Sequence, residues 1–192
     1  MATLTETDRH PALLRRGETG LIVVDVQEAF RPVIDGFDAV ARNCGLLAEG
    51  FGILGRPVLV SEQYPKGLGS TVAEVAERLP EGVEPVEKLR FSACGVAAFD
   101  QALAAAGARS WVVCGIEAHV CVNQTAHDLL ARGYEVHLAA DAISSRTAGN
   151  RAAGLEKASA DGARVTSAEM ALFEMLEEAG SPEFKAISKL VR

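Results

Sequence analysis

Positive charge is the first thing this chain is short of. Lys and Arg total 19 against 26 Asp and Glu, a net charge of −7 over 192 residues. Phosphate backbones repel a chain of that sign, so nucleic-acid binding is not expected. Long apolar runs are missing as well. None approaches the roughly 20 residues that span a bilayer. The first residues do not combine a basic stretch, an apolar run and a small-residue cleavage site. The expectations are no membrane partner and a cytoplasmic location. Cysteine is sparse: Cys44, Cys94, Cys114 and Cys121 form no Cys-x-x-Cys pair. Reduced thiols are therefore expected, with no disulfide framework. His10, His119, His127 and His137 are scattered, and no His-x-x-x-His spacing occurs. That argues against structural zinc, although Cys114, His119, Cys121 and His127 are close in sequence. The run Gly67-Leu-Gly-Ser-Thr71 lacks both the dinucleotide fingerprint and the Gly-Lys-Ser/Thr ending of a phosphate loop. No cofactor is expected.

There is also no long linker, internal repeat or low-complexity tract. With 48% hydrophobic residues, 192 residues suffice for one substantial core. We divide the chain into a polar, loose arm over residues 1–17, containing Pro11, and a single domain over residues 18–192.

Within that domain apolar runs alternate with amphipathic stretches. Strands are expected at residues 20–26, 58–61, 83–88, 110–114, 134–139 and 164–166. Between them, apolar residues recur at helical spacing. One stripe is Val40, Cys44, Leu47, Phe51 and Leu54; others are Val72, Val75, Ala76 and Leu79, then Val96, Phe99 and Leu103, then Val122, Ala126, Leu129 and Leu130. Helices are also expected at residues 151–160 and 168–179, the latter opened by capping-box spacing at Thr166 and Glu169. Pro182 opens a short helical tail. Strands without polar alternation are buried on both faces, which calls for a parallel sheet between helices. The expected fold is α/β: a three-layer, doubly wound domain with a six-stranded parallel sheet, Rossmann-like in plan.

Ligands bind such sheets at the carboxyl ends of the strands. Those ends deliver Asp25, Gln27 and Phe30 from strand one, residues 61–66 from strand two, Lys88, Phe91 and Ser92 from strand three, and residues 115–121 from strand four. Strand five adds Asp141, Ser144, Ser145 and Arg146. Cys121 falls in the first turn of the helix after strand four, where free N–H groups and the dipole favour a thiolate. An acid, a lysine and a cysteine thus converge from three strands, a set suited to nucleophilic catalysis. Taken singly, each has a plainer reading: a buried Cys, a turn-capping Asp, a solvated Lys.

The motifs Asp25-Val-Gln-Glu-Ala-Phe30, Lys88-x-x-Phe91-Ser92 and Gly115-Ile-Glu-Ala-His-Val-Cys121-Val-x-Gln-Thr-Ala resemble the isochorismatase-like cysteine hydrolase superfamily, and Ala140-Asp-Ala-x-Ser-Ser-Arg146 fits as well. Glu62-Gln-Tyr-Pro-Lys-Gly-Leu-Gly69 and the tail Pro182-x-Phe-Lys-x-Ile-Ser-x-Leu190 are similar to one branch, the isochorismatase-domain-containing proteins. The resemblance implies a catalytic triad of Asp25, Lys88 and Cys121. It implies a cis peptide before Glu117 and an oxyanion hole formed by the backbone N–H groups of Glu117 and Cys121. Phe30, Tyr64 and Phe91 are candidates for a small apolar substrate pocket, joined by Gln27, for which a structural role is the alternative. Arg146 is read as a partner of Asp141 or a subunit contact.

Nicotinamidases of this superfamily place an Asp/His metal cluster after strand two. Glu62-Gln-Tyr-Pro-Lys-Gly67 has no histidine, so no metal is expected. The implied activity is hydrolysis of a small, non-peptide amide through a thioester. The alternatives are an isochorismate-like ether or ester hydrolase and a non-catalytic binding or scaffold protein of the same fold. The expected partners are a small-molecule substrate and further copies of the chain in a homo-oligomer.

Overall fold

The structure, a computed structural model, describes residues 9–192. Residues 1–8 of the expected arm lie outside the described residues. Residues 9–17 are tied down, not loose. Arg9 donates to the Leu14 and Glu174 carbonyls and pairs with Glu177 at 2.9 Å, and Leu14 is buried.

Six parallel strands form one sheet in the order β3-β2-β1-β4-β5-β6. They are β1 (Thr19–Val24), β2 (Val58–Gln63), β3 (Val86–Lys88), β4 (Ser110–Ile116), β5 (Glu135–Ser144) and β6 (Arg164–Thr166). Eight helices accompany them among the described residues: α1 (Phe37–Ile53), α2 (Pro65–Leu68), α3 (Ala73–Ala76), α4 (Ala97–Ala105), α5 (Asn123–Ala131), α6 (Ala148–Ala160), α7 (Ala168–Leu176) and α8 (Pro182–Leu190).

The three-layer plan follows from side-chain alternation along the strands. Leu21, Val23, Val112 and Cys114 point to one face, where they pack with Val40, Leu47 and Phe51 of α1 and Leu172 of α7. Ile22, Val24, Trp111 and Val113 point to the other, against Phe99 of α4, Leu129 of α5 and Ala158 of α6. Every residue of β1 and β4 is buried, the property that made these strands legible as apolar runs.

Element ends differ from expectation for local reasons. β1 stops at Val24 because Asp25 adopts φ +53°, outside the extended region. β3 is three residues long, not six; Pro85, just before it, has no N–H to give a ladder. β5 runs on to Ser144 through a register shift against β4 between Val113 and Gly115. The cap of α7 is Ser167, whose Oγ accepts from the Met170 N–H at 3.2 Å, so the Thr166–Glu169 capping box is not formed. That helix ends at Leu176, where Glu177 turns to φ +65°. Residues 65–68, for which no helix was expected, form the short helix α2.

Candidate active site

The sheet order reverses between β1 and β4, and the crevice at the carboxyl ends of those strands is the standard ligand position in such folds. Asp25 sits there, with Lys88 at the end of β3. Cys121 arrives from the turn after β4. They are 1%, 4% and 8% exposed, so an aqueous surface charge is ruled out for all three. Lys88 Nζ donates to Asp25 Oδ2 at 2.7 Å, and Ser61 Oγ at the end of β2 donates to Asp25 Oδ1 at 2.8 Å. The Cys121 thiol is buried beside Asp25 and Lys88, and the charges of both act on it.

Two close backbone approaches build this corner. Gly115 has φ +110°, and a Cβ there would stand 2.1 Å from the Val24 carbonyl oxygen. Only glycine lets β4 turn away while pressed against the end of β1. Gly154 of α6 meets the Ala118 carbonyl, where a Cβ would be 2.4 Å away, so α6 bears directly on the turn that carries Cys121.

That turn is not the first turn of an α-helix. Residues Ala118–Val122 form a π-helical turn, in which the Val122 N–H reaches the Glu117 carbonyl, and α5 begins only at Asn123. Nor is a thiolate favoured at rest. Burial, reinforced by the Asp25 charge, pushes the Cys121 thiol up to about 12, and Lys88 only partly opposes this. Desolvating the anion outweighs the helix-terminus effect on which the sequence argument relied. Burial also raises the Asp25 carboxyl above its ordinary range, against the opposing pull of Lys88, Cys121 and Ser61. The resting thiol is therefore neutral, beside a carboxylate with raised affinity for a proton. Chemically, this corner can move a proton from sulfur to carboxylate next to a fixed ammonium.

The peptide between Ile116 and Glu117 is cis, as the motif resemblance implied. The Glu117 side chain accepts from Arg146 Nε at 2.9 Å and from the Arg146 backbone N–H at 3.3 Å. This replaces the expected pairing of Arg146 with Asp141, whose Oδ1 instead accepts from the Ala168 N–H at the start of α7.

The expected substrate residues divide. Tyr64 and Phe91 are both about half exposed and stand on loops joined by Tyr64 N–H to Lys88 O and by Gln63 Nε2 to Leu89 O. A depression of 280 Å³ opens there, lined by Tyr64, Pro65, Lys66, Glu87, Lys88 and Leu89. Phe30 does not line that depression; it is partly buried and packs against the core cluster to which α1 contributes. Gln27 is corrected as a substrate contact. It is fully buried, its Oε1 accepts from the Gln63 N–H, and its Nε2 donates to the Gln63 and Gly69 carbonyls. Its amide is wholly occupied by backbone. Sequence reasoning passed over Ser61 and Gln63 as site residues. Their one signal was position at the end of β2.

Among the described residues, no group of three or more His, Cys, Asp and Glu side chains is arranged to hold a metal ion. No helix among them is long and apolar enough to cross a membrane.

Residues 19–170 match the model of the isochorismatase domain. The chain is 43% identical over 169 residues to isochorismatase domain-containing protein 1 of Danio rerio, an alignment covering 88% of this chain and 59% of that protein. It is 39% identical over 196 residues to the secreted isochorismatase effector Isc1 of Phytophthora sojae, covering 100% of this chain and 93% of the relative. Among solved structures, the MAR1 ribonuclease of Caenorhabditis elegans superposes with a TM-score of 0.89 at 36% identity, over 94% of this chain and 92% of that one. With its six-stranded parallel sheet and the matched domain covering most of its length, the chain belongs to the isochorismatase-like hydrolases, in the branch of the isochorismatase domain-containing proteins.

Proposed function

We propose that this hydrolase cleaves a small, non-peptide amide through a thioester on Cys121. The observation that carries the reading is the buried Lys88–Asp25 pair at 2.7 Å, with the charges of both acting on the buried Cys121 thiol. Asp25 takes the thiol proton as sulfur attacks the carbonyl, and Lys88 offsets the charge. The backbone N–H groups of Glu117 and Cys121 receive the oxyanion. Asp25 returns the proton to the leaving amine. Water, deprotonated by Asp25, then attacks the thioester and releases the acid and the free thiol. The rim at Tyr64, Leu89 and Phe91 is the proposed contact for the apolar part of the substrate.

The test is intact-protein mass after brief incubation with small amides and esters, for wild type and Cys121→Ala. An acyl adduct on wild type alone supports the reading and reports the acyl group. Turnover by Cys121→Ala at the wild-type rate defeats it. Pyruvate release from an isochorismate-like ether, in place of ammonia release from amides, would favour the ether hydrolase. The ribonuclease name belongs to the C. elegans protein. A net charge of −7 supplies no general attraction for RNA, and cleavage of an RNA substrate in the same panel would overturn the amide assignment. Family membership also supports a homo-oligomer. A cytoplasmic location is proposed for this chain, whereas the effector relative is named as secreted.

A further inference from the structure

The Lys88 ammonium has four acceptors. They are Asp25 Oδ2 at 2.7 Å, Gln63 Oε1 at 2.8 Å, the Phe91 carbonyl at 2.9 Å and the Arg90 carbonyl at 3.2 Å. An ammonium has three protons, so every one is engaged. Only one acceptor, Asp25, carries a charge.

Gln63 stands in register with Lys88 on the neighbouring strand. Its amide orientation is set by its other end: Nε2 donates to the Leu89 carbonyl at 3.0 Å, so the oxygen must face Nζ. Its backbone is held on both sides by the buried Gln27, which accepts from the Gln63 N–H at 2.8 Å and donates to the Gln63 carbonyl at 3.0 Å. The preceding residue, Glu62, is a carboxylate, but strand alternation turns it away. It accepts from the Thr71 N–H and hydroxyl instead.

A glutamate at position 63 would have nearly the same shape as glutamine and the same reach. It would lose the donation to the Leu89 carbonyl, as methionine also would, and unlike methionine it would add a charge that splits the field of Lys88 between two carboxylates and sets a second anion near Asp25. We propose that Gln63 is a positioning residue of this site: its neutral amide oxygen holds the Lys88 ammonium against Asp25 without drawing off its charge, and Gln27 holds Gln63 in place.

The inference rests on reading Asp25, Lys88 and Cys121 as a working triad. The charged or titratable groups facing Asp25 are Lys88 from β3 and Cys121 from the π-helical turn, with the Ser61 hydroxyl from β2. With the thiol neutral, labelling of Cys121 near neutral pH depends on Asp25 being ionised to take its proton. The rate therefore has an acid limb that reports Asp25.

The experiment measures the rate of Cys121 labelling by iodoacetamide against pH, located by peptide mass, on the full chain. Wild type, Gln63→Glu and Gln63→Met are compared. The acid limb is expected to move up by about one pH unit in Gln63→Glu and by much less in Gln63→Met, because only the glutamate divides the ammonium's charge. Superposed limbs for wild type and Gln63→Glu, or equal shifts in the two variants, overturn the proposal. Equal shifts are what loss of a merely structural contact would give. A wild-type profile with no acid limb defeats the triad reading itself and this proposal with it.

If Gln63→Glu does not fold, exchange of the Lys88 ammonium protons by NMR decides. Gln63→Met should exchange about tenfold faster, the equivalent of one lost hydrogen bond. Unchanged exchange overturns the proposal.

Discussion

Lys88 and Asp25 are each expensive to bury alone and tolerable together. Their side chains are both 1% exposed, so removing one partner leaves the other stranded. Lys88→Met is expected to lower the unfolding free energy by ~3–5 kcal/mol at neutral pH. The loss should shrink in acid. An acid whose folded pKa is raised makes the native state bind more protons than the unfolded chain. The stability it contributes is then full at low pH and is lost as pH rises through the folded value. Asp25 is already raised with Lys88 present, and more so without it, so the variant can bury a neutral carboxyl once the pH falls. Urea denaturation of wild type and variant at pH 7 and in mild acid checks this. An equal difference at both would argue against it. Cys121 teaches the complementary lesson. Burial pushes its thiol up to about 12, so helix position alone is a poor guide to cysteine reactivity.

Elements set how close these groups come. α6 touches the Cys121 turn backbone-to-backbone at Gly154 and Ala118. Gly154→Val should push the helix off the turn, lower stability by ~1–3 kcal/mol through overpacking, and reduce Cys121 labelling more than global unfolding explains. A melting curve with a labelling rate on the folded fraction separates the two effects. β5 carries another testable group, at its amino end and away from the Asp25–Lys88 corner. His137 is buried, and that burial lowers its pKa to about 4. A depressed base contributes stability above its unfolded pKa of about 6.5, lost as pH falls through the folded value. The contribution amounts to at most ~3 kcal/mol. Stability is expected to decline over that window in wild type and to decline less in His137→Leu, measured by denaturation midpoints between pH 7 and pH 4.

At the scale of the whole molecule, one sheet divides two cores and ends in one crevice. The homo-oligomer expected of the family predicts a species larger than a monomer in sedimentation at micromolar concentration; a stable monomer would remove the expectation. The apolar runs of β1 and β4 announced a buried parallel sheet because residues with both faces covered need no polar alternation. Asp25, Lys88 and Cys121 could be picked out as strand-end residues for the same reason: the topology of such sheets collects those ends. Motif resemblance then implied their roles. Composition, period and order along the chain therefore determined the fold class and marked Asp25, Lys88 and Cys121 as candidates. Only the tertiary structure decided that Gln27 serves backbone and not substrate, that Gln63 completes the shell of Lys88, and that Arg146 pairs with Glu117. It also decided that Cys121 rests as a neutral thiol. Each of these depends on which polar groups meet across strands far apart in sequence and on how completely water is excluded there, and neither quantity is written in local order.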